Sequence, residues 1–398
     1  AVEIPACLRI SSAEDLSDVR LPVRYSDGSA AQKPVTWDRE QLRELVPGKP
    51  MKLRGTLSAV SPVFPRAVGY ADPVLFQWQG AWYFLATNDN LNDIGLYLRK
   101  AETLDDLWTE KARESCILPP DPGKGFVQTF WAPEFHVIGE EAWILFAVSG
   151  AEWGPQCHMM RLKKGADPMD PAGWETPIRV LQRDGTPLTE DGITLDMTWI
   201  PAKEGPWVIW SYRRNIGTPL DTGSMLMAAR AREDKPWILA SEPVLISRPL
   251  FGWENVNRTI NNEGPYALIH EGKIWLGFSG GDACGYFYVL GWLSADLDAD
   301  LTSPSSWTKH PCPALASGFV PGIQGPGHHS FFRDEQGQWM IAYHAQEREK
   351  HFCRCSTYHR VHFSPEGVPL LNVTGDLDLD PALAQVEVPV LLSPDPLP

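Results

Sequence analysis

ADPVLFQWQGAWYFLA, residues 71–86, is the stretch from which the fold is read. Its apolar run Val74-Leu75-Phe76 meets a turn at Gln79-Gly80 and restarts at Ala81-Trp82-Tyr83-Phe84, the pattern of a β-hairpin and not of a helix. The same plan returns as APEFHVIGEEAWILFA from Ala132, LDMTWIPAKEGPWVIW from Leu195, EGPYALIHEGKIWLGF from Glu263 and HHSFFRDEQGQWMIAY from His328. Measured on Trp82, Trp143, Trp207, Trp275 and Trp339, the steps are 61, 64, 68 and 64 residues. The later turns fall at Gly139-Glu140, Glu204-Gly205, Glu271-Gly272 and Gln336-Gly337. Such a period signals a repeat architecture.

A second marker follows four of the five hairpins, ending in Trp108, Trp174, Trp237 and Trp307, with steps of 66, 63 and 70. About sixty residues and several strands per unit fit a four-stranded propeller blade. The expected fold is all-β: a five-bladed β-propeller over residues 63–398, preceded by a small β-sandwich-like module over 1–62. A β-sandwich or β-helix would leave the matched spacing to coincidence. Pro62, Pro65 and Gly69 mark the expected join.

A hydrophobic fraction of 43% in 398 residues supports a packed core. The net charge of −15, without a basic run, argues against nucleic acid and anionic membranes as partners. No stretch approaches eighteen uninterrupted apolar residues, so no spanning helix is expected. The 17 tryptophans and 36 prolines suit strand edges, turns and sugar-stacking surfaces. Seven cysteines cannot all pair, and they form neither a zinc spacing nor a disulfide framework. The chain opens at Ala1, and a secreted or periplasmic location is expected, with a cytoplasmic one left open.

Three innermost-strand starts carry acids that closure of a ring would bring to one end of its channel: Asp72, Asp196 two blades later and Glu263 one blade beyond that. Inverting glycosidases need a carboxylate base and a protonated acid roughly 6.5–9.5 Å apart, with a water between the base and the sugar. A third carboxylate raises the donor's pKa by like-charge repulsion. Each acid alone also reads as a turn or loop cap.

Asp72 in Ala-Asp-Pro, Asp196 in the third repeat, Glu263 in Glu-Gly-Pro-Tyr, and Gly325-Pro326-Gly327-His328 together resemble glycoside hydrolase family 43, over about residues 66–380. The third motif departs from the family's common form, reading Asp196-Met197. The resemblance implies a five-bladed propeller in which Asp72 is the general base, Glu263 the general acid and Asp196 the residue that tunes the acid's pKa. It requires no cofactor and admits a structural calcium ion at His328; His329 beside it reads as a packed side chain. It also implies an arabinose- or xylose-containing oligo- or polysaccharide as partner. The favoured activity is release of α-L-arabinofuranosyl residues. A β-xylosidase or endo-arabinanase of the same family is the alternative, and a non-catalytic carbohydrate-binding propeller is the alternative of another class.

Further candidates surround these motifs. Phe130 and Trp131 open the second repeat, and an aromatic face there is either a sugar platform or core. Glu134 occupies the acid position by period, with an orienting role. Arg258, Asn261 and Asn262 precede the acid and are candidates for sugar hydroxyls, as is Arg360 beside the base. Asn88 and Asp89 read as a solvated turn. The stretch 23–57, VRYSDGSAAQKPVTWD followed by LRGTL, resembles bacterial immunoglobulin-like modules.

Overall fold

Every copy of the repeat folds into a four-stranded antiparallel sheet. The computed structural model describes residues 1–26, 28, 30–57, 62–202, 205–256, 259–347, 353–372 and 379–393. Glu204 of the third expected turn, and Arg258, lie outside the described residues. Two units are distinguished: one of residues 63–334 and 339–361, the other drawn from 1–62, 335–338 and 362–398.

The larger unit holds the blades. In the first, Tyr70–Trp78, Ala81–Asn88, Leu96–Ala101 and Arg113–Leu118 run outward in that order. The next three blades start on Gln128–Ile138, Gly192–Ala202 and Glu263–His270, and the fifth on Gly327–Arg333. Two-residue hairpins favour positive φ at both positions, and Gln79 (φ 50°) with Gly80 (φ 80°) meets that requirement, as does Glu271 with Gly272. Between blades, apolar faces pack on one another: Leu85, Leu98 and Phe130 with Phe146 and Ile144, then Leu145 and Trp143 with Trp199 and Trp210. Removing this apolar surface from water is the main drive for stacking the sheets.

The ring is closed by a strand from before the first blade. Ala67–Val68 pairs with Arg354–Arg360 and supplies the outermost strand of the fifth sheet. This explains why the second tryptophan marker occurs only four times. Each marker stands just before an outermost strand, and the fifth blade takes its own from the other end of the repeat array. Gly69, expected in a linker, ends this closing strand at φ 72°, and Asn90 Nδ2 donates to the carbonyls of both Val68 and Gly69 at 3.0 Å.

The smaller unit corrects the expected boundaries. Its five-stranded sheet runs in the order Leu8–Ile10, Gln385–Leu392, Pro50–Leu57, Ala30–Trp37, Arg20–Arg24. The C-terminal strand therefore belongs with the first segment, although the sequence reading placed it in 63–398. Val386, Val388 and Val390 alternate inward onto Leu53, Leu21 and Leu16, a period-two burial that a propeller edge strand does not require. Among the described residues this unit shows one sheet and a two-stranded ribbon, His362–Phe363 with Pro369–Leu370.

A Cβ at Gly69 would meet Asn90 Oδ1 at 2.2 Å in a left-handed backbone. Gly69→Ala is expected to lower unfolding free energy by about 1–3 kcal/mol. Urea denaturation checks it; an unchanged midpoint would show that the closing strand tolerates the side chain.

Candidate active site

A β-bulge interrupts every innermost strand, and the residue within it has positive φ: Asp72 (53°), Ala132 (47°), Asp196 (54°), Gly264 (56°) and His328 (44°). Left-handed backbone is disfavoured for most L residues and tolerated best by Gly, Asn, Asp and His. Bulges re-aim side chains, and here they occupy equivalent positions in all five blades. Asp72 and Asp196 are bulge residues, whereas Glu263 immediately precedes one. The Met197 departure leaves the geometry intact, since Asp196 shares the conformation of Asp72. In the second blade the equivalent residue is Ala132, not Glu134. Glu134 is buried and hydrogen-bonds His136 at 2.6 Å.

The bulge amides are tied to neighbouring sheets. Asp72 N–H donates to His344 Nδ1 (3.2 Å), Ala132 N–H to Thr87 Oγ1 (2.9 Å), Gly264 N–H to Asp196 Oδ2 (3.0 Å) and His328 N–H to Ser279 Oγ (2.8 Å). Thr87, Ser279 and His344 hold corresponding places on second strands, opposite the residue before each bulge. Ser211, in the same place, donates to Asp196 Oδ2 at 3.0 Å. Ala147 is the fifth and offers no side-chain acceptor.

A cavity of about 350 Å³ gathers Asp72, Asp196, Glu263 and His328 with Asp93, Trp131, Asn261, Asp282 and Arg354. Asp72 is buried; its Oδ2 accepts from Thr87 at 2.6 Å. Its Oδ1 lies 3.2 Å from His328 Nδ1, 3.2 Å from His344 Nδ1 and 3.6 Å from Arg354 Nη1. His344 Nε2 meets the Ala283 carbonyl at 3.2 Å, so Nε2 carries the proton and Nδ1 accepts from the Asp72 amide. Among the described residues Oδ1 consequently receives no hydrogen bond. Burial raises the Asp72 pKa, but the His328 charge and the Arg354 guanidinium outweigh it and hold the carboxyl well below the usual range.

Glu263 goes the other way. Burial and the Asp196 carboxylate push its pKa up to about 7, against the His328 charge. Tyr288 O–H donates to its Oε1 at 2.9 Å. Burial also raises Asp196. Of this pair Glu263 keeps the proton, because two donors, Ser211 and Gly264, favour ionised Asp196. The His328 pKa is raised: burial opposes the charge, but Asp72, Asp196, Glu263 and Glu134 together favour it. His329 is buried beside Gly277 and pushed down to about 3 by burial.

Several sequence-expected contacts are corrected. Trp131 lines the cavity and donates Nε1–H to Asp93 Oδ2 at 2.8 Å, whereas Phe130 is fully buried in the core between the first two blades. Asn261 lines the cavity with Nδ2 on the Gly281 carbonyl. Asn262 instead is fully buried, linking Glu254, Lys309 and Ser247 away from the cavity. Arg354, not Arg360, stands at Asp72, gripped by Asp89 at 2.5 and 2.8 Å. Asp89 is therefore an anchor and not a solvated turn. Arg354, Asp93 and Tyr288 escaped sequence reading because no repeat marker falls on them.

The residues around His328 do not fit a calcium shell. Calcium takes 6–8 oxygens, yet His328 Nδ1 faces Asp72 and, among the described residues, no group of three ligating side chains includes His328.

A propeller that gathers three carboxylates of split proton affinity in a sugar-sized cavity defines a glycoside hydrolase. The family description "Glycosyl hydrolases family 43" matches residues 61–369, and the chain belongs to that family. It is 28% identical over 331 residues to an extracellular exo-α-(1→5)-L-arabinofuranosidase of Streptomyces chartreusis, covering 79% of this chain and 96% of that protein. With the namesake from Streptomyces avermitilis it shares 32% over 70% of this chain and 55% of the relative, so the chain spans about half of that longer protein. Among solved structures, an α-L-arabinofuranosidase from Lactobacillus brevis superposes with a TM-score of 0.66 at 27% identity, over 78% of this chain and 95% of its own.

Asn262→Ala would strand buried Glu254 and Lys309, and it is expected to cost about 1–3 kcal/mol of stability while leaving KM within about twofold. Denaturation and steady-state kinetics separate these effects. A tenfold rise in KM with unchanged stability would return Asn262 to the sugar.

Proposed function

We propose that this protein is an inverting exo-acting α-L-arabinofuranosidase that works outside the cytoplasm on arabinose-containing plant-type oligo- or polysaccharide. The opposed proton affinities of Asp72 and Glu263 within one cavity carry the reading. Asp72 is ionised, and its Oδ1 receives no hydrogen bond among the described residues, so it keeps a lone pair for the proton of a water; Glu263 holds its proton up to about pH 7, as an acid needs to donate to the leaving oxygen. Asp196 has two roles here. Its charge raises Glu263, and its Oδ2 holds the amide of Gly264, fixing the backbone next to the acid.

The reaction then runs in one displacement. Water at Asp72 attacks the anomeric carbon as the glycosidic bond breaks; its proton passes to Asp72, and the Glu263 proton passes to the departing oxygen. Trp131, held by Asp93, offers a face to the sugar, and Asn261 and Asp282 offer polar atoms to its hydroxyls. A cavity of about 350 Å³ favours a terminal residue over a long chain. The names of the curated relatives support arabinose over xylose and an extracellular site of action.

Hydrolysis of nitrophenyl α-L-arabinofuranoside should exceed that of nitrophenyl β-xyloside, with the inverted anomer appearing first by NMR. Asp72→Ala and Glu263→Ala should each lower kcat about a hundredfold or more. Retention of configuration, or variants as active as the parent, would refute the assignment.

The pH profile of kcat/KM should fall as pH rises through about 7, where Glu263 loses its proton. Asp196→Asn removes a negative neighbour, which lowers the Glu263 pKa, so this limb should move to lower pH. A limb that stays in place would separate Asp196 from the acid's titration.

A further inference from the structure

We propose a second site, outside the sugar cavity: Cys353, Cys355 and Glu347 form a binding site for a thiophilic divalent cation of the zinc class. The two cysteines are two residues apart, Cys353 just ahead of the fifth blade's third strand and Cys355 within it, and their side chains fall on the same side. Their sulfurs lie 3.7 Å apart. This is far beyond the ~2.05 Å of a disulfide, and it matches the sulfur–sulfur edge of a tetrahedral zinc site, about 3.8 Å for Zn–S bonds of about 2.3 Å. A Glu347 carboxylate oxygen lies within 4.8 Å of both sulfurs, and among the described residues this is the only group of three ligating side chains so disposed.

The backbone holds the ligands together. Glu347 N–H donates to the Cys353 carbonyl at 3.3 Å, and Cys355 is fully buried, paired with Ala345 on one side and Val68 of the closing strand on the other. Sequence spacing alone gave no zinc signature, because the third ligand, Glu347, stands just past the end of the preceding strand, Trp339–Gln346. Two thiolates and a carboxylate suit zinc better than calcium. Binding expels the two thiol protons to solvent and leaves a fourth position for water.

Arg354 stands between the two cysteines and points to the opposite face, where it meets Asp72 and Asp89. An occupied site would therefore pin the strand that presents the guanidinium to the proposed base. This consequence rests on the catalytic reading above, whereas the site itself does not.

The test uses the full chain, reduced and free of oxygen, titrated with Co²⁺. One equivalent should produce a thiolate-to-cobalt charge-transfer band and tetrahedral visible bands, both abolished by Zn²⁺. Cys353→Ser and Cys355→Ser should each abolish the charge-transfer band while Cys7, Cys116, Cys157, Cys284 and Cys312 remain, and Glu347→Gln should weaken binding about tenfold or more. In the unmodified protein Zn²⁺ should protect Cys353 from iodoacetamide in peptide mass spectra, a reading independent of whether the variants fold. Bands that survive in both cysteine variants, no band in the parent, or alkylation of Cys353 indifferent to Zn²⁺ would each overturn the proposal. Any of these would leave hydrolysis and its pH profile untouched.

Discussion

A left-handed residue at the same bulge of each innermost strand is the constraint on which the site depends. Regular pleating would send alternate side chains into the flanking blades; the bulge turns one residue per blade toward the channel instead. Left-handed backbone costs roughly 1–2 kcal/mol at a non-glycine residue, and four of the five positions are not glycine. Stacked sheets and the side-chain acceptors on neighbouring strands hold that conformation. Asp72 is fixed in this way by His344 and Thr87, and Gly264 by Asp196.

Charge then differentiates carboxylates that the repeat makes nearly equivalent. Asp72 faces His328 and Arg354 and stays ionised; Glu263 faces Asp196 and keeps its proton. Like-charged neighbours in a low-dielectric cavity drive proton affinities apart. His328 sits in the field of four carboxyl groups, which raises its proton affinity. Arg354 contributes a cation through its Asp89 anchor.

Much of this was legible in the sequence because it is periodic. Hairpins, blade number and the three acids all follow from one spacing, and the family resemblance rests on the same motifs. What escaped reading is not periodic. The fifth blade's borrowed strand showed only as a missing marker, and the C-terminal strand's pairing with Pro50–Leu57 joins residues over three hundred positions apart. Arg354 reaches the cavity from the third strand of the fifth blade, and Tyr288, just ahead of the third strand of the fourth, reaches Glu263. Two misassignments had a physical warning. Neighbours on a strand face opposite ways, so once Trp131 lines the cavity Phe130 belongs to the core. Just ahead of the next blade's first strand, Asn261 and Asn262 part in the same manner, one to the cavity and one to the core.

The central claim, that burial and charge leave Asp72 ionised while Glu263 stays protonated near neutrality, is tested most directly by an infrared titration of the carboxyl stretches. Difference spectra of the parent against Glu263→Gln and against Asp72→Asn isolate the two groups. The account predicts a Glu263 band that ionises at about 7 and an Asp72 band that remains ionised below the ordinary aspartate range. A Glu263 band ionising near the ordinary 4.5, or an Asp72 band gaining its proton near 3.8, would contradict it.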